Sequence, residues 1–286
     1  MSHPIVKYLK YNSLISFLAR QYYKRLNINR LENIIFIATT GRSGTKTLVD
    51  IMNVIPHCKA EHEPYPAMFD DALKAKSYGN EKYVRDLYWH IKSINLWRSV
   101  SGFRHYLESN HMFIKTYIEY AVQDFKHKAI VIHLIRDPIK VANSIYALQD
   151  FPGTEEGNKW WLDYKANNNF IKIANYLDND PEFKHPFYKG LWYWYEIEER
   201  IKYWRKKLPH VRFLDFYTED FNDRNKTFKL LCDLNIEFDE KALTECINTR
   251  SNTRPHQKQS EPLSEIKATQ MHNEFIKLLK KLNYTL

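Results

Sequence analysis

The sequence predicts an α/β fold: a single three-layer domain with a central parallel sheet. Three observations carry that prediction. Short apolar runs alternate along the chain with segments of helical periodicity, as βα units require. One such run feeds directly into a Gly- and hydroxyl-rich turn that opens a helix. The composition of the 286 residues, with 44% hydrophobic, 27% charged and 15% aromatic, suits one globular core without low-complexity tracts or linkers.

The expected strands are Asn33–Ala38, Met112–Tyr117, Ile130–Ile135 and Val211–Phe216, with a shorter one near His57–Ala60. Helical patterns cover residues 45–54, 81–100, 138–149, 188–207, 223–234 and 264–282. Residues 150–187, punctuated by Pro152, Gly153, Gly157, Pro181 and Pro186, read as an inserted helix with irregular flanks. Such an insertion covers an active site or is a loop of no consequence.

Residues 1–30 are set apart as a basic amphipathic helix preceding a domain over 31–286. They carry Lys7, Lys10, Arg20, Lys24, Arg25 and Arg30 and no acid, within a net charge of +9. Leu14, Leu18, Tyr22 and Leu26 recur every four residues and draw an apolar stripe. The helix either lies on an anionic membrane surface or packs on the domain. No nucleic-acid-binding motif accompanies the charge, so nucleic acid is not an expected partner. No run approaches the ~20 apolar residues of a membrane span, and no export signal is legible. Cys58, Cys232 and Cys246 form no pairing pattern. A cytoplasmic protein, at most peripheral at the membrane, is the expectation. The histidines form no HExxH or Cys/His cluster, and no metal is expected.

The most informative segment is Ile34–Leu48. A buried-type strand runs into Thr39-Thr40-Gly41-Arg42-Ser43-Gly44-Thr45-Lys46-Thr47, and a helix begins. Two of only seven glycines fall here. Glycine lets backbone N–H groups turn toward an anion, and a helix N-terminus adds partial positive charge. Arg42, Ser43, Thr45, Lys46 and Thr47 add donors, so the segment is a phosphate cradle. It is not a Walker A loop: Gly41 and Gly44 are too close, and Thr45 intervenes before Lys46. A second run, Ile130–Ile135, ends in Arg136-Asp137-Pro138 with Ser144 eight residues after Arg136. Alone, that is a strand end followed by an Asp cap and a Pro at the first helical position.

Together these segments resemble the PAPS-dependent sulfotransferases, in particular the carbohydrate- and tyrosyl-protein-modifying branch with its P-loop-like fold. PAPS is 3′-phosphoadenosine 5′-phosphosulfate. Gly41 to Thr45 match the family's 5′-phosphosulfate loop residue for residue. Thr39 stands where a first glycine is common, and Lys46 replaces a second threonine. Arg136 and Ser144 match the 3′-phosphate pair. The resemblance spans roughly 33–282.

It implies sulfuryl transfer from PAPS to a hydroxyl acceptor, without a metal. Glu63, in Glu61-His62-Glu63-Pro64, resembles the catalytic glutamate of that branch, with Glu61 and His62 as substitutes. An acidic helix start is the other reading of this cluster. Lys115 resembles the Lys-Thr strand end of the carbohydrate-modifying branch and would, with Arg42, neutralise charge on the leaving oxygen; a solvent-facing lysine is the alternative. Arg254 and Lys258, in a basic loop where the family closes over the nucleotide, would touch a phosphate. Glu63 and Lys115 point to a glycan or glycolipid acceptor, because the small-phenol branch typically uses histidine. The rival functions are a P-loop-type nucleotide-dependent kinase and a non-catalytic nucleotide-binding protein.

Overall fold

The computed structural model describes residues 13–249 and 260–284. The elements run in order as follows. Helix α1 (Ser13–Asn27) leads to β1 (Asn33–Ala38), α2 (Thr45–Asn53), β2 (Cys58–His62) and α3 (Asp71–Ser77). Then come α4 (Glu81–Leu87), a π turn (Tyr88–Lys92), α5 (Ser93–Ser99) and β3 (His105–Ser109). A second π turn (Phe113–Tyr117) continues into α6 (Ile118–Phe125), followed by β4 (Ala129–Ile135) and α7 (Pro138–Leu148). The remainder is α8 (Gly157–Trp160), α9 (Ala174–Asn179), α10 (Pro186–Lys207), β5 (Arg212–Tyr217), α11 (Arg224–Asp233), α12 (Glu240–Thr249) and α13 (Glu265–Lys281).

The five strands form one parallel sheet in the order β2-β3-β1-β4-β5. Strand β1 is central, with Ile35 opposite Leu107 of β3 on one side and Ile130 of β4 on the other. Both faces of β1 are covered, as a near-continuous apolar run requires. Ile34, Phe36 and Ala38 enter an aromatic core with Trp97, Phe113, Tyr117 and Trp192. Ile35 and Ile37 enter an aliphatic core with Leu48, Ile51, Met52 and Leu231. The three-layer α/β expectation is met. After β1 the chain turns toward β2, whereas after β4 it turns toward β5, so a crevice opens at the carboxyl ends of β1 and β4.

One expected strand is misplaced. Met112–Tyr117 is helical, and the strand is His105–Ser109. The true strand carries His105, Glu108 and Ser109, all buried, and does not look like a core strand by composition. Glu108 is tolerated there because the Lys92 ammonium lies 2.5 Å away and the Tyr117 hydroxyl donates to it at 2.7 Å. The β-favouring residues 113–117 spend their rings on packing instead: Phe113 stacks on Phe36 with centroids 4.7 Å apart. Packing against neighbours overrides the β preference. Just before them, the Asn110 side chain accepts from the Met112 N–H at 2.9 Å and starts the helical turn.

The predicted helix 81–100 is realised as α4, the π turn and α5. The insertion 150–187 holds only the short helices α8 and α9, and Trp160 and Trp161 at the end of α8 close one side of the crevice. No helix among the described residues is long and apolar enough to cross a membrane.

Candidate active site

The loop after β1 is shaped by left-handed backbone at Gly41 (φ 81°), Arg42 (φ 57°) and Gly44 (φ 74°). A Cβ at Gly41 would fall 3.1 Å from His111 Nδ1, and one at Gly44 would fall 3.2 Å from Thr218 Cγ2. Glycine is therefore needed twice over, for backbone conformation and for space. Ser43 is fully buried; its hydroxyl donates to the Gly41 carbonyl at 2.8 Å and lies 3.1 Å from the Thr40 hydroxyl. It sets the loop's shape from within. Gly44 caps α2 without a side chain, so the first turn of α2 presents backbone N–H groups to the crevice.

The loop after β4 meets this one. Arg136 Nη1 donates to the Arg42 carbonyl, and Arg42 Nε donates to the Ser144 hydroxyl at 2.9 Å. Asp137 caps α7 by accepting from the Lys140 N–H at 2.9 Å, with Pro138 following. The Thr218 hydroxyl, after β5, lies between the carbonyls of Ser43 (2.9 Å) and Ile135 (3.0 Å) and shares its proton between them, tying both loops together. Burial lowers the pKa of the Arg136 guanidinium. The structure thus brings Gly41–Thr47, Arg136 and Ser144 to one place. Arg254 and Lys258 lie outside the described residues.

Gly41–Thr47 and Arg136 line one side of a cleft of about 870 Å³, whose other wall includes His62, Glu63, His111, Asp150, Trp160 and Trp161. That volume accommodates a nucleotide with room to spare. Glu61 and His62 belong to β2, and Glu63 sits just beyond it with φ 48°, so the cluster is a strand end and not a helix start. Alternation alone would put Glu61 and Glu63 on one face; the left-handed turn at Glu63, just past the strand, separates the two carboxylates. Glu61 turns away from the cleft to the Tyr106 hydroxyl (2.5 Å) and Lys59 (3.1 Å). Burial raises its pKa, but these two partners outweigh burial and hold the carboxyl below its usual range. Glu63 faces the cleft, its N–H donates to the Ser109 carbonyl at 3.0 Å, and its Oε1 lies 3.4 Å from His111 Nε2.

Lys115 is buried behind His111 and does not line the cleft. Its Nζ donates to the Trp160 carbonyl at 2.6 Å and to the Tyr193 hydroxyl at 3.1 Å, and lies 2.9 Å from His111 Nδ1. Tyr193 donates its own proton to the Thr40 carbonyl at 2.7 Å. Burial depresses the Lys115 pKa strongly, partly offset by Glu63. Burial and the nearby Lys115 charge push the His111 pKa well down, so the imidazole is neutral. Among the described residues, no group of three or more His, Cys, Asp or Glu is placed to hold a metal ion.

Sequence reasoning missed His111, Tyr193, Asp150 and the Trp160–Trp161 pair. His111 had a signal: it stands just past the carboxyl end of β3, the edge where this fold places chemistry. Drawing the strand at 112–117 hid that position. Asp150 and the tryptophans reach the cleft only because the insertion folds back over it. Burial raises the pKa of the Asp150 carboxyl.

Fold and site define a parallel α/β protein in which two arginine-bearing loops meet at the sheet's switch point, with the Glu63 carboxylate across the cleft. The chain belongs to the sulfotransferase family, whose domain model matches residues 32–281. Solved structures similar in fold include the sulfotransferase domain from the curacin biosynthetic pathway (17% identity, 90% of this chain and 99% of that one, TM-score 0.46). The sulfotransferase from Alicyclobacillus acidocaldarius (13% identity, 90% and 97%, TM-score 0.47) is another. A third is mouse sulfotransferase SULT7A1 complexed with PAP (10% identity, 92% and 88%, TM-score 0.47). No curated protein matches the sequence. The chemistry of the family is sulfuryl transfer.

Proposed function

We propose that this protein transfers the sulfuryl group of PAPS to a hydroxyl of a glycan or glycolipid. The observation that carries the donor half is the meeting of Arg42, Arg136 and Ser144 where the β1 and β4 loops touch. Two cationic loops at adjacent strand ends suit a nucleotide bearing phosphates at both its 3′ and 5′ positions. Glu63, on the facing wall, takes the proton of the acceptor hydroxyl. The acceptor oxygen then forms its bond to sulfur as the bond from sulfur to the bridging oxygen breaks. That oxygen leaves with the electron pair on adenosine 3′,5′-bisphosphate, and Arg42 stabilises the charge it gains.

Lys115 acts from behind. Its contact with His111 Nδ1 at 2.9 Å holds the ring so that Nε2 faces Glu63 and orients the carboxylate. Through Tyr193 and Thr40, the same lysine is linked to the donor loop. A glycan suits the rim of the cleft. Phe69 and Trp160 stack with centroids 4.6 Å apart, and Tyr65 and Phe69 are exposed, offering flat apolar faces to a sugar ring. Free Cys58, Cys232 and Cys246 accord with a cytoplasmic setting.

Equilibrium binding of adenosine 3′,5′-bisphosphate against ATP, with and without Mg²⁺, separates this proposal from a kinase. Tighter, Mg²⁺-independent binding of the bisphosphate is expected, and Mg²⁺-dependent preference for ATP would overturn it. Radiolabelled sulfate transfer from PAPS to a panel of glycans, glycolipids and phenols then tests the acceptor. Labelled phenols without labelled glycans would refute the carbohydrate assignment, and binding without any transfer would indicate a non-catalytic protein.

A further inference from the structure

Helix α1 is mounted with its apolar side outward. Its inner face is polar: Lys24 Nζ donates to the Asp124 carbonyl at 3.0 Å and lies 3.4 Å from the Asp124 carboxylate, and Arg20 lies 3.8 Å from the same group. The Arg20 guanidinium covers the Trp89 ring at 4.5 Å, and the Asn27 amide donates to the Trp97 carbonyl at 2.9 Å. Asp124 is buried, and these cations neutralise it, so the orientation of the helix is fixed by charge. The consequence is on the other side. Phe17, Leu18, Tyr22 and Leu26 are 49%, 57%, 60% and 58% exposed. Arg25 projects from the middle of this face, and Arg30 is exposed just beyond the helix.

We propose that the outer face of α1 docks the protein on an anionic membrane surface, with Leu18, Tyr22 and Leu26 entering the headgroup boundary. Charge selects this occupant. No acid occurs before Glu32, and Lys7 and Lys10 precede the helix. A second copy seated on this face would bring two surfaces of the same positive sign together, which repels. A bilayer containing anionic lipid supplies negative headgroups for the arginines and apolar depth for the ring and the leucines. The stem of Arg25 can lie in the apolar layer with its guanidinium in the headgroups. The inference is independent of the sulfuryl-transfer proposal.

The test is flotation of the full-length protein with vesicles of phosphatidylcholine alone and of an equal mixture with phosphatidylserine. The protein is expected to partition into the mixed vesicles about tenfold or more better than into phosphatidylcholine. The triple variant Leu18→Ser, Tyr22→Ser, Leu26→Ser should lose that partitioning while binding adenosine 3′,5′-bisphosphate as before. Arg25→Glu, on an exposed position, serves as a second variant and should weaken partitioning into the mixed vesicles. No partitioning into either vesicle, or equal partitioning into both, overturns the proposal. So does a concentration-dependent dimer, seen by ultracentrifugation, that the triple variant abolishes, since the face would then belong to a second copy.

Discussion

Replacing Glu63 by glutamine removes a proton acceptor and almost nothing else. The carboxylate faces the cleft, and its close partner among the described residues, His111 Nε2, is 3.4 Å away. Folding stability should therefore stay within about 0.5 kcal/mol of the parent. Turnover should fall by about 10²–10⁴, equivalent to roughly 2.7–5.4 kcal/mol on the barrier, while bisphosphate affinity is unchanged. The same substitution at Glu61 should do the reverse. Its carboxylate accepts from Tyr106 at 2.5 Å and pairs with Lys59 at 3.1 Å. Hydrogen bonds to charged groups are worth ~1.5–3 kcal/mol, less here because the Lys59 pair is partly exposed. We expect Glu61→Gln to cost about 1–2 kcal/mol of stability, with mild loss of turnover. Because folding depresses the Glu61 pKa, its contribution is present above the unfolded carboxyl pKa of about 4.3 and disappears as pH falls through the lower folded value. The stability gap between parent and Glu61→Gln should close at acid pH. Single-turnover transfer from PAPS, bisphosphate titration and thermal melts across pH decide the matter. Near-normal turnover in Glu63→Gln, or equal inactivation by both substitutions, would refute the assignment and move the proton to His111.

Arg136→Ala should weaken adenosine 3′,5′-bisphosphate by about tenfold or more, through loss of a charged contact worth ~1.5–3 kcal/mol, and adenosine 5′-phosphate much less; equal losses would show that Arg136 does not read the 3′-phosphate. Gly41→Ala places a Cβ 3.1 Å from His111 Nδ1 at a φ of 81°, so both donor affinity and turnover should drop; an enzyme unaffected by this change would show that the loop yields freely. Burial pushes the Cys58 thiol up to about 12, so native protein at mildly alkaline pH should be alkylated at exposed Cys232 long before Cys58, as mass spectrometry of timed samples can check.

The sequence by itself determined the sheet's central strands and the two loops that meet at their carboxyl ends. Asn33–Ala38 and Ile130–Ile135 are local apolar runs that end in local chemistry, Gly41–Thr47 and Arg136-Asp137-Pro138, and a motif contained in consecutive residues survives translation into structure. It singled out Glu63 only by resemblance, and the structure puts that residue just past the end of β2, lining the cleft. What it left undecided are relations between distant segments. Strand His105–Ser109 can bury Glu108 because Lys92, from the π turn before α5, and Tyr117 pair with it, and no local pattern announces that pairing. The placement of His111 beside Glu63, and of Lys115 behind it, follows from that strand and from Tyr193 on α10, far along the chain. The facing of α1 is the sharpest case. Periodicity gave the stripe Leu14, Leu18, Tyr22 and Leu26, and apolar burial alone would turn it inward. The uncompensated charge of buried Asp124 demands Arg20 and Lys24 instead, and because these lie on the opposite side of the same helix, satisfying the charge leaves the apolar stripe facing out.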